Sequence, residues 1–169
     1  MSPELFRSLA PILFGGLVIV AALTDLVTFT IPNWISVALA VAFAPAAFAA
    51  HVSLPDIGIS LAVGLAVLAA AAGMFALGWV GGGDAKLMTA AALWLGLKGL
   101  VPFLIFTALA GGALAVALLG LRSAWLRPIA HAGPNWARRL ATPGESAPYG
   151  VAIAAGALAA FAFATHPLV

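Results

Sequence analysis

The sequence lacks cysteine altogether and carries very little charge. Without cysteine, disulfides, thiolate metal sites and cysteine nucleophiles are all excluded. Charged residues make up 7% of the 169 positions, and only five of them are acidic. An ordinary soluble domain carries about a quarter of its residues charged, so that class is excluded as well. The three histidines are isolated and show no H-E-x-x-H spacing, so we expect no metal and no cofactor.

Apolar residues take the place of the missing charge. They make up 64% of the chain, and the mean hydropathy is +1.18, as in membrane proteins with little mass outside the bilayer. The pI of about 9.7 rests on only seven basic residues, so membrane topology explains it better than a nucleic-acid partner does. We therefore expect a lipid bilayer as the surroundings of the chain and no nucleic acid as a partner.

The apolar runs predict an all-α membrane protein with about six transmembrane helices in a polytopic bundle. We expect a single integral-membrane domain over residues 1–169, whose first segment is a retained helix because no small-residue cleavage site follows it. Turn-forming residues such as "FTIPN", the triple glycine and "LKGLVP" separate the segments. The predicted spans are residues 9–26, 34–50, 57–80, 87–98, 100–121 and 149–166.

The fourth span is short, because a helix between Lys86 and Lys98 is only about 16 Å long. It either crosses with both lysines reaching the interfaces or dips into the membrane and returns. Basic residues favour crossing. With six crossings and an outside N-terminus, five basic residues are cytoplasmic and two are not, in agreement with the positive-inside rule. The cytoplasmic set is Lys86, Arg122, Arg127, Arg138 and Arg139, and the other two are Arg7 and Lys98.

Two aspartates share one membrane depth in this topology. Asp25 ends the first predicted helix and Asp84 begins the fourth, so both lie at the cytoplasmic face. A single aspartate at a helix end is often only a cap or an interfacial residue, but two neighbouring carboxylates can share one proton and act together as general base and general acid. Such a pair activates water against a peptide carbonyl without a metal, a serine or a cysteine. The glycines at 81–83 would let an extended substrate backbone approach the acid, and they permit positive φ.

Three motifs resemble one family. "GGGDAKL" (residues 81–87) is similar to the Gly-x-Gly-Asp motif of intramembrane aspartyl proteases. "DLVTFTIPN" (residues 25–33) resembles the first-aspartate signature of the type IV prepilin peptidases. "APYGVAIAAG" (residues 147–156) is similar to a segment near the end of their short Tad/Cpa-type branch. The motifs occur in the expected order, so the resemblance extends over nearly the whole chain.

The resemblance implies an aspartic endopeptidase of the bacterial inner membrane that cuts the basic leader from type IVb or Flp-like prepilins at the cytoplasmic face. Asp25 and Asp84 would be the catalytic pair. Substrate-binding positions would be Gly81, Gly82, Gly83, Pro32, Asn33, Tyr149 and Gly150. Tyr149 and Gly150 would line the site only if the last helix packs beside the first and fourth, and an interfacial start to that helix explains them equally well. Longer relatives add a Cys-x-x-Cys domain linked to N-methylation, which this chain lacks, so we expect cleavage without methylation. Relatives often carry basic residues between the first aspartate and the proline, but "LVTFT" has none, so the resemblance does not extend to an electrostatic role for this loop.

Two other classes of function remain open. A proton-coupled transporter also uses intramembrane aspartates, although its site tends to lie at the bilayer midplane between repeats. A non-catalytic subunit for pilus assembly would need neither aspartate. Lys86 is interpreted as an interfacial anchor and not as a partner of Asp84, because residues two apart on a helix do not share a face. The loop 122–148 mixes Arg with Trp and is interpreted as a contact for anionic headgroups.

Overall fold

Helices make up most of the chain in the computed structural model, which describes residues 3–123 and 125–163. No strand occurs within those residues. In chain order the helices are α1 (Pro3–Thr28), α2 (Asn33–Ala49), α3 (Leu54–Ala76), α4 (Gly82–Leu121), α5 (Arg127–His131), α6 (Asn135–Ala141) and α7 (Tyr149–Phe163). The predicted all-α membrane fold is confirmed.

The outer surface of the bundle is apolar, as a bilayer requires. Large hydrophobic side chains are strongly exposed on several helices, for example Ile12, Val41, Leu65 and Val116. A soluble protein does not expose apolar surface on this scale. Three helical stretches are long and apolar enough to cross a membrane, namely Leu9–Thr28 of α1, all of α3 and all of α4. Helices α2 and α7 are apolar but shorter.

Helix α4 is a helical hairpin and not one straight rod. Forty straight helical residues would extend about 60 Å, twice the thickness of the hydrocarbon core. Gly96 has φ 56° and ψ −164°, which is incompatible with an α-helix and breaks it. Asp84 and Gly112 then line one cavity, although a straight helix would hold them about 42 Å apart. The halves 82–95 and 97–121 therefore run back along each other.

The predicted fourth and fifth spans correspond to these two halves, but the predicted position of the break was wrong. We placed it in "LKGLVP", after residue 96, yet Pro102 lies inside the helix. The predicted third span, 57–80, is shifted toward the N-terminus in the structure. Ser53 is the N-cap of α3, because its hydroxyl accepts a hydrogen bond from the Asp56 amide. The helix ends at Ala76, two residues before Gly78 with φ 74°. The sixth predicted span begins at α7 as expected, and its residues 164–166 lie outside the described part of the chain.

The core is organised around Trp94 in the first half of α4. Its ring is fully buried, and its indole N–H donates to the Leu39 carbonyl oxygen of α2 at 2.8 Å. The rings of Phe14 from α1 and Phe43 from α2 pack against it at centroid distances of 5.3 and 6.2 Å. Because hydrocarbon offers no hydrogen-bonding solvent, the satisfied indole fixes α4 against α2.

Helix α7 packs against both α1 and α4. The contact with α4 is close because Gly156 has no side chain. A Cβ there would lie 2.6 Å from the Thr107 amide nitrogen of α4, which is closer than real Cβ atoms come. Small residues at helix crossings allow this kind of approach in membrane proteins. The start of α7 is thereby held beside α1 and α4.

Candidate active site

Asp25 lies in the last turn of α1 and is buried, with 5% of its surface exposed. Among the described residues it is the only charged side chain in the buried class. Its Oδ2 accepts a hydrogen bond of 2.7 Å from the backbone N–H of Gly150, at the start of α7. A buried carboxylate needs such a donor, because leaving it without one costs on the order of several kcal/mol. The start of α7 therefore orients Asp25.

Asp84 lies in the first turn of α4 and is half-buried. The helix begins with Gly81 as the N-cap, so the carboxylate lies at the positive end of the helix dipole. A Cβ on Gly81 would be 3.0 Å from Asp84 Oδ2, so this glycine leaves the carboxylate room.

Two contacts bind the aspartate-bearing segments to each other. Gly83 packs on Ile31, and a Cβ on Gly83 would lie 3.1 Å from the Ile31 Cβ. Lys86 Nζ donates to Asn33 Oδ1 at 2.9 Å. Lys86 therefore contacts the turn between α1 and α2, in addition to any anchoring at the interface. Gly83 and Asn33 hold the two segments in register.

Asp25 and Asp84 both line a cavity of about 830 Å³. Its walls come from the end of α1, the turn between α3 and α4, both halves of α4 and the start of α7. Its lining combines polar side chains, among them both aspartates and Thr107, with apolar ones such as Met88, Leu104 and Ile153. The cavity can therefore contact both polar and apolar parts of a bound peptide.

Two of the seven predicted substrate-binding residues line this cavity. They are Gly81 and Tyr149. Gly150 does not line the cavity, and its backbone N–H donates to Asp25. Gly82, Gly83, Pro32 and Asn33 do not line the cavity: Gly82 packs on Phe75, and Pro32 is the N-cap of α2.

The expectation of positive φ at the three glycines was wrong. Gly81 has φ −70°, and Gly82 and Gly83 belong to the first turn of α4. The positive φ of this turn is at Gly78, which also lines the cavity. Absence of a side chain, and not left-handed backbone, is what residues 81–83 contribute.

The loop 122–148 lies at the edge of the cavity, which the sequence did not indicate. Ser146 and Ala147 from this loop line the cavity. The guanidinium of Arg139 lies over the Phe29 ring, 4.2 Å from its centroid, and Phe29 is also a lining residue. The Arg139 and Glu145 side chains form an ion pair of 3.4 Å. A basic group thus reaches the turn after Asp25 from the distant loop, and no local pattern could have revealed it.

Phe29 itself has φ 59°, which is uncommon for a residue with a side chain. Its amide donates to the Asp25 carbonyl oxygen at 2.8 Å, and this closes the end of α1. The ring is held between the cavity and Arg139. A strained residue beside an aspartate in a cavity is typical of a functional site.

The chemistry available at this site is that of two aspartates that line one cavity. Within residues 3–123 and 125–163, no group of three or more His, Cys, Asp or Glu side chains could hold a metal ion. Two carboxylates in one cavity can share a proton, so one can accept a proton from water while the other donates one.

A comparison with protein families matches residues 12–116 to the type IV leader peptidase family. The match includes both aspartates and covers more than half of the chain. Comparisons with curated proteins and with solved structures give no match. The chain belongs to the type IV leader peptidase family.

Proposed function

We propose that this leader peptidase cuts with Asp25 and Asp84 as an aspartic pair. One observation supports the proposal above all: the two aspartates come from different segments and line one cavity. An isolated aspartate at a helix end could be a cap. Two aspartates held in register by the Gly83–Ile31 contact and the Lys86–Asn33 hydrogen bond serve a joint purpose.

In the proposed reaction, a water molecule bound between the carboxylates attacks the carbonyl carbon of the scissile peptide bond. One carboxylate accepts a proton from the water, and the carboxyl group of the other donates a proton to the carbonyl oxygen. Collapse of the tetrahedral intermediate then breaks the C–N bond, and the leaving nitrogen takes up a proton from the pair. The Gly150 N–H keeps Asp25 in place during these steps.

The proposed substrates are prepilins of the type IVb or Flp-like kind. The apolar lining residues Met88, Leu104 and Ile153 suit an apolar segment that follows the cleavage site. We place the chain in the short Tad/Cpa-type branch, on the "APYGVAIAAG" motif and the lack of cysteine. It then cleaves without methylating the new N-terminus.

The proposed setting is a single multi-pass domain in the bacterial cytoplasmic membrane, with the aspartates at the cytoplasmic side. The count of five cytoplasmic basic residues against two outside supports this orientation. Arg139 contacts Phe29 next to the two aspartates, which we call the dyad. The end of the bundle that holds the dyad therefore also carries the loop with Arg122, Arg138 and Arg139.

The test is leader cleavage by membranes that carry Asp25→Asn or Asp84→Asn at matched expression. Each variant should lose at least 100-fold in rate, in the range typical for an essential acid or base. The double variant should be little slower than either single one, because the two groups act as a unit. Asp56→Asn is the matched control, since Asp56 only caps α3 with Ser53 and should cleave normally.

Substantial cleavage by either single variant would refute the aspartic mechanism. Normal folding with loss of proton-coupled solute uptake, and no effect on leader cleavage, would favour a transporter instead. Normal pilus assembly by the double variant would favour a non-catalytic subunit.

A further inference from the structure

A second cavity lies on the other side of the first half of α4. It is a groove of about 280 Å³ between α2, α3 and α4, and it contains neither aspartate. Residues 86, 89, 90 and 93 of α4 form one of its walls, at the spacing of a single helix face. Asp84 and Met88 line the dyad cavity instead. The two cavities therefore use different faces of one helix.

This groove is polar at one end and apolar along the rest. Lys86, Thr89 and Ser36 lie toward the end of α4 that carries the dyad, because each is at or near the start of its helix. The deeper part is lined by apolar side chains, among them Ala40, Leu61 and Leu65. Gly64 of α3 packs on Leu93 there, and the missing side chain leaves the groove open.

The polar end has hydrogen-bonding and charge capacity that the protein does not use. Lys86 donates one hydrogen bond to Asn33. Among residues 3–123 and 125–163 the one ion pair is Arg139–Glu145, so no carboxylate there balances the charge of Lys86. The Ser36 hydroxyl is buried, and within the described part of the chain it makes no hydrogen bond. That hydroxyl oxygen is enclosed by protein, so the exposed Lys86 ammonium is the donor that a bound anion can reach at this end.

We propose that this groove binds one anionic phospholipid. The acyl chain occupies the apolar part between α2, α3 and α4, and the phosphate accepts hydrogen bonds from the Lys86 ammonium. In the orientation proposed above, Lys86 lies at the cytoplasmic face, where anionic headgroups are enriched and basic sites between helices bind them. A substrate helix in the same groove could not present its peptide bond to the aspartates, which open into the other cavity.

The experiment measures which lipid stays bound to the full chain. The protein is purified in mild detergent with equal amounts of phosphatidylglycerol and phosphatidylcholine, and native mass spectrometry counts the bound lipid. We expect about a fivefold preference for phosphatidylglycerol, which corresponds to about 1 kcal/mol for one lysine near an anionic lipid. Lys86→Gln should remove the preference, whereas Lys98→Gln, an exposed lysine outside the groove, should keep it.

A second pair of variants tests the acyl-chain part of the groove. Ala40→Leu fills it and should lower retention of both lipids several-fold. Ala70→Leu, an exposed position of α3 that does not line the groove, should leave retention unchanged. An unchanged thermal midpoint shows that the variants fold.

Any of these results would overturn the proposal: no lipid retained by the wild type, equal retention of the two lipids, or a preference that survives Lys86→Gln. Displacement of the lipid by a saturating prepilin would also overturn it, because the groove would then hold the substrate helix. Since none of these readouts requires catalysis, failure here leaves the aspartic mechanism standing.

Discussion

Replacement of Gly150 by alanine tests whether α7 positions Asp25. A Cβ built on Gly150 would lie 2.8 Å from Asp25 Oδ2 and 2.8 Å from Ile31 Cδ1. Real Cβ atoms essentially never approach other atoms so closely, so the carboxylate or the helix must move. The movement also lengthens or breaks the 2.7 Å hydrogen bond from the Gly150 amide.

The size of the effect follows from two estimates that agree. A hydrogen bond to a charged group contributes about 1.5–3 kcal/mol, which is roughly 10- to 150-fold in rate if it is lost in the transition state. Displacement of a catalytic group by about 1 Å costs on the order of 100-fold. We therefore expect Gly150→Ala to lower kcat for leader cleavage about 100-fold. KM should change little, because Gly150 does not line the cavity.

The assay is steady-state cleavage of a prepilin by purified enzyme, with kcat and KM determined separately. Gly112→Ala is the matched control, because Gly112 lines the same cavity but has nothing within 4 Å of the added Cβ. The control should keep kcat within about threefold of wild type, which corresponds to less than 1 kcal/mol. If Gly150→Ala cleaves as well as Gly112→Ala, α7 does not position Asp25. A thermal midpoint near wild type for both variants keeps a folding defect from imitating the result.

Three further predictions concern the other segments. Gly83→Val should lower cleavage at least 10-fold, because its side chain would push Asp84 away from the Ile31 turn. Gly73→Val should cleave normally, because a Cβ added at Gly73 meets nothing within 4 Å. Equal activity of the two variants would contradict the inference that the Gly83–Ile31 contact positions Asp84. Ser123→Cys should resist an impermeant thiol reagent in intact cells while Leu54→Cys reacts, since we place loop 122–148 inside; labelling of Ser123→Cys would reverse the topology. Purified enzyme supplied with prepilin and S-adenosylmethionine should give a product with a free α-amine by mass spectrometry, and a methylated amine would disprove cleavage without methylation.

The sequence predicts the helical segments well because a membrane imposes a strong constraint. Backbone groups in hydrocarbon must be satisfied internally, so long apolar runs have little choice but to be helical. The ends are harder to predict. The first turn of α3, which Ser53 caps, has few apolar residues, so hydropathy placed the start of that helix three residues late.

The meeting of Asp25 and Asp84 could be anticipated from topology, because two helix ends at one face share a membrane depth. The structure places both side chains in one cavity, and their catalytic role stays a prediction. What surrounds them could not be anticipated. The Gly150–Asp25 hydrogen bond joins residues 125 positions apart, and the Arg139–Phe29 contact depends on how a loop folds over the bundle. Neither contact has a local pattern.

The break in α4 explains both the error in the sequence prediction and the shape of the site. "GLKGLVP" offers Gly96, Gly99 and Pro102 as breakers, and composition does not choose among them. Packing does: Gly99 lies against Leu95, and Gly96 takes a left-handed φ beside Ser60 of α3. A break at Pro102 would lengthen the first half by six residues, about 9 Å of helix. Residues 104–115 would then no longer return alongside Asp84, and the apolar wall of the cavity would be lost. The position of this one turn therefore gives the cavity beside the aspartates its apolar wall.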